Sequence, residues 1–261
     1  MITSTQNPQI KHLLLLQQKS AQRRADGLFV VEGRREVEHC LSAGFKLRRA
    51  FVCEEISPLP SLPEGVEVVP VSPNVYERIA YRGGTEGIVA VVEAGRTRLC
   101  DLQLSTSPII VVLESVEKPG NLGAVLRSAD AAGADAVIVC DPLTDLYNPN
   151  LIRSAVGAVF TVPCVACSTE ECIAFLKERG IQILTAQLQD SNLYYDTPMT
   201  GPTAIVMGTE ATGLTEQWRQ AADAHIRIPM LGRLDSLNVS VSAAILLFEA
   251  VRQRQKLFKG K

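Results

Sequence analysis

Three short runs carry residue types able to do chemistry. The first is Lys118-Pro119-Gly120-Asn121-Leu122-Gly123-Ala124-Val125-Leu126-Arg127. Helical spacing makes Leu122, Val125, Leu126 and Ala129 a buried stripe and sets Arg127 to one side of it. Gly123, four residues before Arg127, leaves an open notch where a phosphate or another chain would fit. A guanidinium stays protonated up to a pKa above about 12, so its chemistry is that of a fixed cation. It can grip a phosphate with its planar fork or stabilise a developing oxyanion. An ordinary surface arginine satisfies the same spacing.

The second run is Ile205-Val206-Met207-Gly208-Thr209-Glu210-Ala211-Thr212-Gly213-Leu214. A strand entering Gly-x-Glu-x-x-Gly places a turn and a carboxylate at the carboxyl end of a sheet, where open α/β sheets bind ligands. A plain strand-to-helix turn fits about as well. The third run spans Ile228 to Ser240 and includes Gly232-Arg233-Leu234-Asp235-Ser236-Leu237-Asn238. Ser236 or Asn238 would cap the helix that follows, but a cap does not account for the whole run.

The elements that must position these runs are legible in outline. From Ile109 onward β and α patterns alternate. Strands are expected at Ile109 to Leu113, Ala136 to Cys140, Ile181 to Ala186, Thr203 to Met207 and Ile226 to Met230. Helices are expected at Asn121 to Ala132 with Gly133 closing the end, Thr169 to Arg179 and Val239 to Leu257. Val/Ile/Ala strands between helices indicate a mainly parallel sheet with helices on both faces. The last helix has two apolar stripes: Val239, Ala243, Leu246, Leu247 and Ala250, and Val241, Ala244, Ile245 and Phe248. One faces its own core, and a partner subunit is the simplest cover for the other.

The N-terminal part reads as a smaller α/β unit. Its strands are Leu28 to Val31, Ala50 to Cys53, Val66 to Val69 and Ile88 to Val92, with helices at Arg34 to Leu41 and Val75 to Ala80. The expected division is 1–95, a linker at 96–107, and 108–261. Residues 1–49 hold nine Lys or Arg against four acids, whereas residues 50–105 hold four against eight. With a net charge of −2 overall, bulk charge does not drive binding to nucleic acid. The basic end suits local phosphate contacts, with Arg23, Arg24, Arg34, Arg35 and Arg82 as candidates; a solvated face would show the same charge.

Other classes lack their signatures. No G-x-G-x-x-G follows a strand and no G-x-x-x-x-G-K-[ST] occurs, which sets aside dinucleotide enzymes and P-loop NTPases. His12, His39 and His225 are too dispersed for a triad or a metal cage, so no metal is expected. The seven cysteines read as reduced thiols of a cytoplasmic protein, and Cys164-x-x-Cys167 as two small buried residues. Met1 to Gln9 is polar with no signal-peptide pattern, and no apolar stretch is long enough to span a membrane.

In order and spacing the three runs resemble the SpoU (TrmH) family of RNA ribose 2′-O-methyltransferases. The N-terminal stretches Phe29-Val30-Val31-Glu32-Gly33-Arg34-Arg35-Glu36-Val37 and Ser72-Pro73-Asn74-Val75-Tyr76 resemble that family's substrate-binding domain. The resemblance implies a ribosomal-protein-like α/β/α N-terminal domain and a catalytic α/β domain with a deep trefoil knot. It implies S-adenosyl-L-methionine as cofactor, held mainly by backbone groups at Gly208, Ile228 and Leu237. Arg127 and Asn121 match its first motif, Glu210 its second, and Ser236 and Asn238 its third, which makes them the expected catalytic set. RNA is the implied substrate; the two-domain layout favours ribosomal over transfer RNA, and the two-sided apolar helix Val239 to Leu257 leads to the expectation of a homodimer through the catalytic domain. Thr209 stands where the family usually has Asn or Ser, and Ala155 where serine is frequent. A non-catalytic RNA-binding protein and an RNA base methyltransferase are the alternatives.

Overall fold

The computed structural model describes residues 1–58, 61–80, 86–95, 97–209 and 212–258. It divides into two compact units, Met1–Arg96 with Asp145–Thr161, and Thr97–Thr144 with Val162–Lys261. No helix among the described residues is long and apolar enough to cross a membrane.

The first unit opens with α1 (Pro8–Gln18) and α2 (Ser20–Asp26). Asn7 caps α1 by accepting from Gln9 N at 2.8 Å, and Pro8 supplies the preset φ of a first helical position. Gly27, at φ 64°, ends α2 in the left-handed conformation. β1 (Leu28–Glu32), α3 (Arg34–Ser42), β2 (Leu47–Val52), β3 (Glu67–Pro70), α4 (Pro73–Ile79) and β4 (Ile88–Glu93) follow. The four strands lie in the order β1-β4-β2-β3, with β4 antiparallel to both neighbours and β2 parallel to β3. Alternation sorts the two faces. Val30, Phe51, Val89 and Val91 pack with Ile10, Leu13 and Leu16 of α1 and Val75, Tyr76 and Ile79 of α4. On the other side Phe29 stacks on Tyr147 at 4.2 Å between centroids and meets Phe45 and Phe160. Thus α3, α6 (Pro149–Ala155) and α7 (Ala158–Thr161) complete an α/β/α sandwich.

Residues 145–161 were expected in the C-terminal domain, but they pack in the first unit. Arg23 ion-pairs with Asp145 at 2.6 Å, and the Tyr147 hydroxyl donates to Gly95 O at 2.8 Å. Those partners are far apart in sequence, so no local pattern announces them.

The second unit contains β5 (Ile109–Glu114), α5 (Pro119–Ala132), β6 (Ala136–Cys140), β7 (Cys164–Cys167), α8 (Thr169–Glu178), β8 (Gln182–Ala186), β9 (Asn192–Leu193), β10 (Thr203–Met207), α9 (Glu216–Ala221), β11 (Ala224–Arg227) and α10 (Val239–Phe258). The sheet order is β7-β6-β5-β10-β8-β11-β9, and every pairing is parallel. One face carries α8 and α9, burying Cys172, Phe175, Leu176 and Trp218 against Ile110, Val112, Ile138 and Val206. On the other, α5 and α10 pack on each other and on the sheet.

The mainly parallel sheet between helix layers is as expected, with local corrections. Pro119 starts α5 two residues earlier than expected, and β11 ends at Arg227, leaving Ile228 to Met230 outside the strand. Gly123 is buried, so the open notch expected beside Arg127 does not exist within this unit. Short α2, α6, α7 and α9 and the edge strands β7 and β9 lacked a periodic signal long enough to read, and the eleven-residue α1 was also not foreseen.

Candidate active site

Because all strands of the second unit run parallel, the loops after β5, β8, β10 and β11 leave from one edge. Chain order reverses beside β5, which has β6 on one side and β10 on the other. The carboxyl edge at such a reversal is where open α/β sheets hold ligands. Here the edge carries a cleft of ≈ 320 Å³ lined by Ala186 to Gln189 after β8, Met207 to Thr209, Gly213 and Leu214 after β10, and Ser236, Leu237 and Val239 before α10. A contiguous recess shares Ala186, Gln187, Leu188, Ser236 and Leu237 and adds Ile226, Ile228 and Met230. The structure therefore gathers Gly208, Ser236 and Leu237 around one cleft, up to 29 positions apart in sequence, and sets Ile228 in the adjoining recess.

Gly208 has a steric reason. A Cβ there would collide with the Gly213 carbonyl and the Leu214 nitrogen. The loop folds back so tightly because Thr209 N donates to Gly213 O at 3.2 Å and Gly213 N donates to Thr209 O at 3.1 Å. Thr212 N donates to Thr209 Oγ1 at 3.0 Å, so the threonine that departs from the usual family residue ties the turn. Glu210 lies outside the described residues.

Behind this loop sits a residue that sequence reading missed. Glu114, the last residue of β5, is buried, and its carboxylate accepts from Thr215 N at 2.9 Å and Thr215 Oγ1 at 2.7 Å. It anchors the start of α9 to the central strand. The signal was available: a lone carboxylate closing the apolar run Ile109 to Leu113. Ser115 follows at φ 51°, a conformation L-residues seldom adopt and one concentrated at functional loops.

Asn121 lies in the first turn of α5, and its Oδ1 accepts from Asn238 Nδ2 at 3.2 Å. Asn238 Oδ1 in turn accepts from Ser240 N at 3.0 Å and Ser240 Oγ at 2.6 Å, capping α10. Ser115, Lys118, Asn121, Gly208, Thr209 and Val239 line a further recess, so the three runs converge. Arg127 does not join them. It is exposed on α5, six residues beyond Asn121, or about 9 Å along the axis, and lines none of these recesses.

The cleft wall also carries unpaired polar atoms. Gln187 Oε1 and Arg219 Nε are buried without a hydrogen-bond partner, and both residues line the cleft. Sequence gave neither prominence. Buried groups left unpaired cost free energy, so a ligand offering a donor to Gln187 and an acceptor to Arg219 is favoured there.

In the first unit Arg23 is a structural residue. Its guanidinium, 5% exposed, binds Asp145 and donates to Leu16 O at 2.6 Å, which removes it from phosphate contact. Arg34 is half-buried and donates to Ser57 Oγ at 3.0 Å and to Pro58 O. Arg24 and Arg35 are exposed, and Arg82 lies outside the described residues.

A parallel α/β unit with a compact, partly polar cleft at the carboxyl edge of its sheet is the build of an enzyme that binds a small cofactor. Residues 108–248 match the SpoU rRNA Methylase family, and the chain belongs to that family. Residues 7–90 match the MRM3-like substrate binding domain. Among curated relatives, the chain is 29% identical over 247 residues to the 23S rRNA (guanosine(2553)-2'-O)-methyltransferase RlmP of Bacillus subtilis, covering 95% of this chain and 97% of that one. It is 36% identical over 200 residues to the 23S rRNA (guanosine-2'-O-)-methyltransferase RlmB of Pectobacterium atrosepticum, covering 73% and 81%. Among solved structures it resembles an RNA 2'-O ribose methyltransferase, with TM-score 0.82, 40% identity and coverage of 97% and 99%. It also resembles an AdoMet-bound rRNA methyltransferase from Sinorhizobium meliloti, with TM-score 0.89, 31% identity and coverage of 96% and 97%.

Proposed function

We propose that this chain methylates the 2′-hydroxyl of a guanosine in 23S ribosomal RNA. As a SpoU family member it is an RNA 2′-O-ribose methyltransferase, and its methyl donor is S-adenosylmethionine. The guanosine and the large-subunit RNA rest on the names of relatives matched over most of their length. The observation that carries the site is the cleft shared by Gly208, Ser236 and Leu237 with two unpaired polar atoms in its wall.

The residues fit the cofactor. Main chain at Gly208, Ile228 and Leu237 would hold the adenosyl part, with Gln187 Oε1 offering an acceptor and Arg219 Nε a donor, both without a partner in the free cleft. When bound, the cofactor supplies an electrophilic methyl on a sulfonium. The protein's task is to align a ribose oxygen with it, and alignment alone is a large source of rate. Arg127 serves as a fixed cation that grips the adjacent phosphate and stabilises the oxygen as its proton leaves. Asn121, Glu210, Ser236 and Asn238 orient the loops. Threading of the C-terminal segment into a trefoil knot belongs to the same proposal and rests on membership of the family.

Residues 1–95 present RNA, through Arg24, Arg34, Arg35 and Arg82. The working form is a cytoplasmic homodimer through the catalytic unit. The exposed α10 stripe supports the dimer, with Val241 and Phe248 on the layer that also contains α5 and Arg127. The test is transfer of labelled methyl from S-adenosylmethionine to 23S rRNA, 16S rRNA and tRNA, followed by nucleoside digestion. Label in 2′-O-methylguanosine of 23S rRNA alone is expected. Label on a base, or only in tRNA, would overturn the reading.

A further inference from the structure

Three cysteines outside the proposed cleft converge in the second unit. Cys140 ends β6, Cys167 ends β7, and Cys172 lies in the first turns of α8. Their Sγ atoms lie within 4.8 Å of one another. The sheet makes the meeting: Cys140 and Cys167 are register partners across the parallel β6–β7 pair, so their side chains share a face. The face is the one α8 covers, and Cys140 and Cys172 are fully buried there while Cys167 is half-buried. Sequence reading paired Cys167 with Cys164 as two small buried residues; both are half-buried, and Cys167 meets different partners.

We propose that Cys140, Cys167 and Cys172 form a three-thiolate binding site for a soft divalent cation of the Zn²⁺ class.

The donor set argues for the ion. Among the described residues the cluster is sulfur alone, with no histidine or carboxylate completing it, and thiolates select soft cations over Mg²⁺ or Ca²⁺. Zinc–sulfur bonds of about 2.3 Å set tetrahedral sulfurs about 3.8 Å apart. The three sulfurs, within 4.8 Å of one another, need close by no more than about 1 Å to reach that spacing. Cys167, the half-buried member, gives the ion a way in, and the fourth position is left for water. Each bound thiol releases its proton to solvent, and three thiolates with one divalent ion leave one negative charge. A bound ion would cross-link β6, β7 and α8. That bracing reaches the proposed cleft through Thr169, which donates to Asp141 Oδ2 at 2.8 Å and lies 3.4 Å from the Glu114 carboxylate that holds Thr215.

The test uses the full-length, reduced, metal-stripped chain carrying Cys100→Ser, which removes an exposed thiol. Zn²⁺ is titrated against a chromophoric chelator. One equivalent per chain is expected, with affinity at least a hundredfold lower in Cys167→Ser, whose folding is checked by circular dichroism. Should that variant unfold, Co²⁺ loading of the parent decides, because three thiolates give intense sulfur-to-cobalt absorption in the near ultraviolet. No retained equivalent, an unaltered Cys167→Ser or a cobalt spectrum without thiolate bands would overturn the site. So would a disulfide among the three that persists as the resting form under reducing conditions.

Discussion

Asn238 Nδ2 donates to Asn121 Oδ1 across 117 positions of sequence, while Asn238 Oδ1 caps α10. One side chain thus fixes the start of α10 and binds it to the start of α5. The two tasks separate by mutation. Asn238→Ser keeps a capping oxygen but is too short to reach Asn121, so stability should change by no more than about 0.5 kcal/mol. Asn238→Ala loses both and should cost about 1 kcal/mol or more. If the link orients the catalytic loops, both variants lose methyl transfer to a similar degree despite different melting temperatures. Full activity in Asn238→Ser would leave only the cap.

Gly208→Ala tests the tight turn after β10. Its Cβ has no free space against Gly213 and Leu214, and backbone cannot rotate away as a side chain can. Relief requires opening the Thr209–Gly213 bridge, at about 1–3 kcal/mol as for other overpacked sites. Calorimetry should show S-adenosylmethionine affinity falling at least tenfold in a protein that still folds. Unchanged affinity would place the cofactor elsewhere.

The arginines of the first unit should part into two kinds. Arg23→Ala strands Asp145 and the Leu16 carbonyl in a buried setting and should destabilise the fold by about 3 kcal/mol or more. Arg24→Ala and Arg35→Ala touch exposed side chains and should leave melting unchanged. Each should lower the slope of log RNA affinity against log salt by roughly 0.7 to 0.9 if it meets a phosphate. An unaltered slope in both would make the basic face a solvated one.

That contrast shows where sequence reading stops. Arg23 and Arg24 are adjacent, and charge alone cannot say that one is buried; the difference is set by Asp145, 122 residues away. The α/β alternation was readable because buried strands are apolar throughout and helices have a 3.6-residue period. The meeting of Asn121 with Asn238, or of Cys140 with Cys167, depends on strand order and register, which no local window contains. The recess around Ile228 and Leu237 became visible only once the β8 and β11 loops were seen to share it.

Arg127→Ala should abolish methyl transfer while sparing fold and cofactor affinity. Its exposure on α5 means that truncation removes no core packing. Arg127→Lys separates charge from shape. A severe defect in lysine indicates that the planar fork matters, whereas recovery of much of the rate indicates that charge suffices. Single-turnover transfer on the cognate RNA reads the effect, and near-parental turnover in the alanine variant would remove Arg127 from the mechanism.

The two stripes of α10 fare differently in a single chain. Val239, Ala243, Leu246, Leu247 and Ala250 are buried, whereas Val241 and Phe248 remain 47% and 48% exposed. They stand two helical turns apart, so they point the same way. The far end of the helix is fixed: Glu249 is buried and accepts from Arg252 and Gln253, and Arg254 donates to Met199 O at 3.0 Å and to Gly201 O at 2.6 Å. The exposed stripe is therefore presented on a rigid helix, as a stable contact requires. Phe248→Asp and Val241→Asp should give folded monomers by light scattering at micromolar concentration, with melting temperatures falling only as far as loss of the partner dictates. Ile245→Asp is the less clean probe, because Ile245 is already half-buried within its own chain. Since Arg127 lines none of the three recesses described at the sheet edge of its own chain, the monomers should also lose methyl transfer while retaining cofactor binding. A parent that is monomeric and active at that concentration would refute the dimer, and an active Phe248→Asp monomer would show that one chain holds a complete site.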